Sequence, residues 1–417
     1  MTHDISAAAQ HRLLSINNYY YRRGGAEVLF LEHNRTFAEN GWQVVPFSMR
    51  HPQNLPTPWS EYFVDEIEFG RSYGLIDKAK RAAKIIYSRE AQQNIRRLLD
   101  KAPPQIAHAH NVYHHISPAI FPVLKEAGVP VLMTVHDLKL ACPAYTMLTD
   151  GKVCERCRGG RIHNVVAHRC IKGELALSGV VMVETLVHRA LRLYSKSVDR
   201  FVVPSRFYIE KLVEWGWPRD RFVHIPNFVD VERLKPSSDI GEGFLYFGRL
   251  SPEKGLTTLI RAAAAAGVRV DLAGSGAQQG ELEQLATSLG ADVRFLGYLD
   301  EAALGHAIAA SRALVLASSW YENAPMSILE GYGLGRPVIG ARIGGIPELI
   351  RPGETGATFE AGDVDGLARE LSRFAAMPAA AVAKMGAAGR AWVEAEFSRT
   401  AYRNRMLGLY SQMMVRT

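Results

Sequence analysis

Ten short runs of branched and aromatic apolar residues, in two series of five, set the limits on what this chain can fold into. The first series is LLSIN (13–17), VVPF (44–47), IAHAH (106–110), VLMTV (131–135) and FVVPS (201–205). The second is FLYFG (244–248), VDLAG (270–274), VRFLG (293–297), ALVLA (313–317) and PVIGA (337–341). Each run has the length of a buried strand, and helical patterns separate the runs. Each series therefore predicts a parallel sheet covered by helices on both faces. A chain of 417 residues suits two such cores of near-equal size. The expected class is α/β, with two doubly wound, Rossmann-like units in series. Between them, HIPNFVDVERLKPSSDIGEG (224–243) has no sustained periodicity and reads as a linker. The expected divisions are residues 1–225, a linker at 226–243, a second unit at 244–397 and a terminal helix within 398–417. That helix carries Tyr402, Met406, Leu409, Tyr410 and Met413 at helical spacing.

Open parallel sheets bind ligands beyond the carboxyl ends of their strands, so the loops after these runs carry the chemistry. After the first run, Gly24-Gly25 open a helix that closes at Asn40-Gly41, offering bare backbone N–H groups to a phosphate oxygen. After the fourth come His136 and Asp137. His108, His110, His114 and His115 divide between a strand period and a turn, which argues against a metal set. In YFGRLSPEKG a strand ends at Gly248, and Arg249 and Lys254 flank the turn into a helix, which suits a pyrophosphate. Gly274, Gly276 and Gly280 are spaced one residue too widely for the dinucleotide fingerprint, so nicotinamide binding is disfavoured.

In WYENAPMSILEGYGLGRPVIG (320–340), Glu322 stands ahead of a helix, Pro325 falls in its first turn and Glu330 lies inside it. Eight helical positions span about 12 Å, so the two acids address different parts of one elongated ligand. Carboxylates accept from hydroxyl pairs. Hydroxyls at two places with a phosphate between them describe a nucleoside diphosphate sugar. Arg342 and GGIPE, with Gly344, Gly345 and Glu348, open the next helix and add donors to the same crevice.

Charge is uneven. Residues 1–225 hold 30 Lys and Arg against 21 Asp and Glu, whereas the remainder holds 19 against 21. The basic half is the one expected to meet an anionic partner, or to be a solvated face. The strongly basic helical pattern of DKAKRAAKIIYSREAQQNIRRLL (77–99) offers Ile85, Ile86, Ile95 and Leu98 either to its own sheet or to lipid. No apolar run is long enough to span a membrane, and MTHDISAAAQHRLL lacks a signal-peptide layout, so a cytoplasmic location is expected. All four cysteines, Cys142, Cys154, Cys157 and Cys170, lie in one loop, with a C-x-x-C pair at its centre. In a reducing compartment disulfides are disfavoured. A structural zinc and four merely buried thiols remain the two readings.

RRGGAE, VHD, IPNFVD, GRLSPEKG, AGSG, FLGYL, YENAPMSILEGYGLGRPVI and GGIPELI follow one another as in family 4 of the retaining glycosyltransferases, of GT-B fold, which nearly the whole chain resembles. The resemblance implies that Arg249 and Lys254 hold the donor diphosphate and Glu330 the ribose hydroxyls. It places Glu322 against the transferred sugar beside the backbone of Asn323, Ala324 and Pro325. Gly25, with Gly24, would approach the donor phosphate from across the cleft, with Gly248 and Gly274 on the donor side, and His136 would line the acceptor side near the anomeric carbon. No catalytic metal is implied, because the cations stabilise the leaving group. Two departures stand out: Trp320, and Glu-Asn-Ala-Pro where many members have Glu-Gly-Phe-Pro, so the donor sugar is not carried over. The cysteine loop occurs in only part of the family. The activity implied is retaining transfer from a nucleoside diphosphate sugar to a lipid-linked or saccharide acceptor in cell-surface polysaccharide or glycolipid synthesis. It would take place at the inner membrane face, with peripheral contact to anionic lipid and without nucleic acid. A nucleotide-sugar epimerase of the same fold, and a non-catalytic sugar-nucleotide or zinc-binding protein, are the alternatives.

Overall fold

The computed structural model describes residues 11–67 and 74–415. The first ten residues, with most of the segment lacking a signal layout, lie outside the described residues. Two six-stranded parallel sheets form, and both follow the same winding rule. In the first, β1 (Arg12–Ile16), β2 (Gln43–Phe47), β3 (Ile106–Ala109), β4 (Val131–Thr134), β7 (Arg200–Val203) and β8 (Phe222–His224) lie in the order β2-β1-β3-β4-β7-β8. An antiparallel pair, β5 (Leu148–Thr149) and β6 (Lys152–Val153), stands apart from it in the cysteine loop. In the second sheet, β9 (Phe244–Phe247), β10 (Val270–Ala273), β11 (Val293–Gly297), β12 (Ala313–Leu316), β13 (Val338–Ala341) and β14 (Gly356–Phe359) lie in the order β11-β10-β9-β12-β13-β14.

All ten anticipated runs are strands, and the side chains of β3, β4, β12 and β13 are buried throughout, as parallel strands between helix layers require. Pro46, inside β2, is tolerated because β2 is an edge strand. The sequence reading missed the last strand of each sheet. FVH has three residues, and GATF opens on glycine, so neither shows a branched apolar run.

Each sheet reverses its winding once, between β1 and β3 in the first and between β9 and β12 in the second. There the outgoing loops part to opposite faces and leave a crevice. The β9–β12 ladder has only two paired positions, Phe244 with Ala313 and Leu245 with Leu314, so the strands have separated before their carboxyl ends. The chain closes with the helix Arg399–Met414, capped by Ser398 Oγ, which crosses back to the first sheet. Its Tyr402, Met406, Leu409, Tyr410 and Met413 pack with Leu13, Phe37 and Trp42.

The single basic helical pattern expected near 77–99 is two helices, Leu75–Ile86 and Arg89–Lys101, parted at Ser88, whose side chain caps the second. Ile85, Ile95 and Leu98 are buried, so packing on the protein, rather than contact with lipid, uses them. GGIPE opens only a 3-10 turn, Ile346–Leu349, in place of the expected helix.

Residues 225–243 hold no strand or helix, but two guanidiniums tie them down. Arg336, fully buried, donates to the carbonyls of Ser237 at 2.7 Å and Asp239 at 2.5 Å. Arg390 donates to those of Leu234 at 2.7 Å and Val231 at 2.9 Å. Arg336→Ala would leave several buried carbonyls without donors. We expect it to lower the unfolding free energy by about 3 kcal/mol, measured by denaturant titration against the parent chain.

Candidate functional site

The crevice between β9 and β12 holds a charged pair. Lys254 ends a 3-10 turn after β9, and Glu322 lies in the loop after β12. Lys254 Nζ donates to Glu322 Oε1 at 2.7 Å, and Ser318 Oγ donates to the same oxygen at 2.7 Å. Burial of Glu322 works to raise its pKa, but the Lys254 ammonium and the hydrogen bonds that Lys254, Trp320 and Ser318 give the carboxylate together hold it below its ordinary value. The ammonium also sits 5.2 Å from the centre of the Trp320 ring.

Glu330 lies inside the helix Met326–Gly333, with Pro325 at the capping position just ahead of it rather than in the first turn. Here burial meets no cation: it pushes the Glu330 carboxyl up to about 7, with the negative charge of Glu301 adding to the effect. Two carboxylates eight residues apart thus shift in opposite directions, because one meets an ammonium and the other is buried with no cation beside it.

The first sheet supplies the opposite wall. Gly24 caps the helix Gly25–Glu39, and a Cβ at Gly25 would stand 3.8 Å from Met326 Cγ. The bare helix terminus therefore faces the start of Glu330's helix. His136 lies past the end of β4, its Nε2 2.8 Å from His110 Nδ1, and burial lowers its pKa to about 4, so the ring is neutral at pH 7.

The Glu322 loop is stitched across the cleft. Asn323 Nδ2 donates to the carbonyls of Val135 at 2.9 Å and His136 at 3.3 Å, and Asn323 Oδ1 accepts from Ser205 Oγ at 2.8 Å. Asn227 Nδ2 donates to the carbonyl of Ala324 at 2.8 Å. Gly345 N–H donates to the carbonyl of Glu322 at 2.8 Å, and a Cβ at Gly345 would fall 1.8 Å from the carbonyl oxygen of Asn323, so only glycine fits. The Glu348 carboxylate accepts from the N–H groups of Arg206 and Phe207, at 2.8 and 2.5 Å, at the start of the helix Arg206–Glu214.

His136, Lys254, Glu322, Asn323, Ala324 and, through Met326, Gly25 thus meet at one cleft. Arg249 follows Gly248 at the end of β9, but its side chain is exposed and its ionic partner is Glu253, at 3.6 Å. Arg342 pairs with Glu360 at 2.6 Å. Gly274 is required by the fold itself: at φ +136° its Cβ would overlap the carbonyl oxygen of Gly248 at 1.9 Å, where the loops after β9 and β10 touch.

Among the described residues the one set of three metal-ligating atoms within 4.8 Å of one another belongs to His33, His108 and His110. Hydroxyls occupy most of these nitrogens: His108 bonds Tyr410 and Thr134, both at 2.7 Å, and His33 bonds Tyr402 at 2.9 Å. Burial keeps all three rings neutral. They form a hydrogen-bonded core beneath His136. The four cysteines line one cavity of about 10 Å³ in the loop beside the cleft.

Sequence reasoning missed Ser318, Ser205, Asn227 and Tyr321. Ser205 and Asn227 each stand beside a proline at a strand end, the one local signal that they have. Tyr321 has none.

Three comparisons bear on this geometry. Residues 23–233 match the model of "Glycosyltransferase Family 4", and residues 234–392 that of "Glycosyl transferases group 1". A GDP-mannose-dependent monoacylated alpha-(1-6)-phosphatidylinositol monomannoside mannosyltransferase of Corynebacterium glutamicum is 31% identical over 235 residues, 50% of this chain and 61% of that protein. The lipopolysaccharide core biosynthesis glycosyltransferase LpsE of Rhizobium meliloti is 33% identical over 194 residues, 44% of this chain and 56% of that one. The matched stretch thus spans less than two thirds of either relative. Among solved structures, sucrose-phosphate synthase from Thermosynechococcus elongatus superposes with a TM-score of 0.69 at 20% identity, covering 98% of this chain and 100% of that one. Anabaena HepE, solved with UDP and glucose, gives 0.67 at 18% identity, covering 96% and 100%. At such identity the likeness establishes the fold, GT-B, while the first family match extends over half of the sequence: the chain belongs to glycosyltransferase family 4.

Proposed function

We propose that the protein transfers a sugar, with retention of anomeric configuration, from a nucleoside diphosphate sugar to a lipid-linked or saccharide acceptor in cell-surface glycan or glycolipid synthesis. The observation that carries this reading is the Lys254–Glu322 pair at the winding reversal of the second sheet, with Glu330 in the following helix and the bare Gly24-Gly25 terminus opposite.

In this reading the donor lies along the crevice. Arg249, exposed and near the mouth, and Lys254 neutralise the diphosphate, so that the bond from the anomeric carbon to the phosphate oxygen breaks without a metal. Glu322 accepts from hydroxyls of the transferred sugar, and Glu330 from the ribose. The acceptor oxygen attacks from the face that the phosphate leaves, and its proton passes to that phosphate. His136, neutral and held by His110, acts as a hydrogen-bonding wall for the acceptor rather than as a base. The relatives' names, one a phosphatidylinositol monomannoside mannosyltransferase and the other a lipopolysaccharide core biosynthesis glycosyltransferase, support a glycolipid or polysaccharide acceptor.

A membrane-held acceptor agrees with the surface of the first unit. Leu175, Val183 and Leu186 are exposed at helical spacing along Leu175–Ala190, with exposed Arg189 and Arg192 at its end. That helix packs on the basic helix Leu75–Ile86. Among the described residues no helix is long and apolar enough to cross a membrane.

Three outcomes are expected. In thermal unfolding with UDP, GDP, ADP and dTDP, one diphosphate at about a hundred times its dissociation constant stabilises by about 2.7 kcal/mol. Lys254→Ala and Glu330→Ala reduce that shift, and Glu322→Gln lowers turnover by about a hundredfold with a smaller change in donor KM. No shift with any diphosphate would overturn the reading, and turnover of donor to an isomer without acceptor would favour an epimerase.

Glu330 also makes donor binding depend on pH. Its folded pKa of about 7 lies above the ordinary value of 4.5, so the ligand-free fold is favoured below 4.5, and that advantage is lost as pH rises through 7. A ligand that needs the carboxylate pulls the other way. Calorimetric donor affinity should weaken as pH falls from 8 to 6, and Glu330→Gln should flatten that slope.

The third outcome concerns the membrane. Liposomes containing anionic lipid should sediment the protein at low salt, and Leu186→Glu should reduce the bound fraction; equal recovery with neutral and anionic vesicles would remove the membrane contact.

A further inference from the structure

The loop that carries the cysteines has little else to hold it. From Cys142 to Cys170 its regular structure is the two-residue strands β5 and β6, a 3-10 turn at Arg158–Gly160 and the four-residue helix Asn164–Ala167. Its own buried apolar cluster is small, Ala144, Ile162 and Val165 with Val181 of the helix Leu175–Ala190, and Met147 alone joins the main core of the first sheet. So small a core does not hold an excursion of this length in one conformation, and domains in that position use disulfides or a metal. The backbone is also bent sharply. Among the described residues, five of the eight non-glycine positions with φ in the left-handed region, Tyr145, Met147, Asp150, Arg169 and Lys172, fall in or just after it. Such conformations persist where something else in the structure compensates for them.

The bends bring the four thiols together. Cys142, Cys154, Cys157 and Cys170 all line the cavity of about 10 Å³, about what one water molecule needs, and His168 is also in its lining. They are all free. No three of the sulfurs stand within 4.8 Å of one another, so they are spread wider than in a closed tetrathiolate.

We propose that Cys142, Cys154, Cys157 and Cys170 bind one zinc ion, and that the metal-held turn Cys154–Cys157 braces the cleft loop that ends at Glu322. Four soft ligands in the pattern C-x11-C-x2-C-x12-C suit tetrahedral zinc at about 2.3 Å. Zinc with four thiolates carries two negative charges, and residues 142–170 complement them with five Lys and Arg against two acids. The brace is Glu155, inside the C-x-x-C turn. Its Oε1 accepts from Tyr321 OH at 3.0 Å and from Lys211 Nζ at 2.9 Å. Tyr321 is seated between the Cys loop and the helix Arg206–Glu214: its ring lies 4.8 Å from that of Phe207, and its carbonyl accepts from Tyr208 OH at 3.0 Å. The next residue is Glu322. Zinc binding itself is independent of the proposed transferase activity.

Elemental analysis of the purified full chain should find about one zinc per chain, retained through gel filtration, and Cys157→Ser should lose most of it and unfold at a lower temperature. Where a cysteine variant fails to fold, the parent protein decides: four thiols slow to react with a thiol reagent, and released zinc equal to the thiols modified in fours, support the site. Metal well below one per chain, with four thiols reacting freely or a mass short of the hydrogens of two disulfides, would overturn it. Glu155→Gln should keep the zinc while amide exchange across 318–325 becomes about tenfold faster; unchanged exchange would overturn the brace.

Discussion

A carboxylate at the floor of a cleft is unstable unless a cation meets it, and the second unit is arranged around that requirement. Lys254 reaches Glu322 because β9 and β12 are neighbours whose loops depart in opposite directions, and Ser318 completes the shell of the same oxygen. The loop bearing Glu322 is then fixed from three sides. Gly345 accepts its close approach, Asn323 fastens it to β4's outgoing loop, and Tyr321 fills a socket of the first unit. Truncating a member of such a set leaves the others unpaired in a poorly solvated place, so its parts should fail together.

Much of this was legible beforehand. The ten apolar runs became strands because burial on both faces demands continuous branched residues, a pattern that survives without knowledge of neighbours. The glycines at 24, 25 and 345 and the acids at 322 and 330 were visible because a helix start needs bare N–H groups and because carboxylates rarely stand in apolar segments without a purpose. Family resemblance named the fold, and the matches to both halves of the chain agree with it.

What escaped was decided by partners distant in sequence. Nothing near Arg336 or Arg390 says that they tie down 231–239, and nothing in 225–243 says that an apparently loose linker is held along much of its length. Lys254 was read with Arg249 as a pair of cations for one pyrophosphate, with no side-chain partner of its own. The fold separates the two, turning Lys254 inward to Glu322 and leaving Arg249 in solvent beside Glu253. Nothing near Tyr321 says that its hydroxyl spans the cleft to Glu155. Strands β8 and β14 were missed for a local reason: three residues, or a leading glycine, do not make a periodic signal.

The proposed chemistry places one demand on the Lys254–Glu322 pair that packing alone does not. An arriving diphosphate competes for the ammonium, and an ammonium that left Glu322 altogether would strand a buried anion. Lys254 therefore has to serve both, which a compact point charge with three rotatable donors can do and a planar guanidinium fork cannot do equally well. The sugar hydroxyls, arriving at Glu322 with the same ligand, replace whatever stabilisation the lysine withdraws. Glu330 supplies the complementary case: with no cation beside it, its charge becomes tolerable only when ligand hydroxyls meet it. On this view each carboxylate is satisfied more completely with donor than without, and the fold itself holds the geometry that the donor completes.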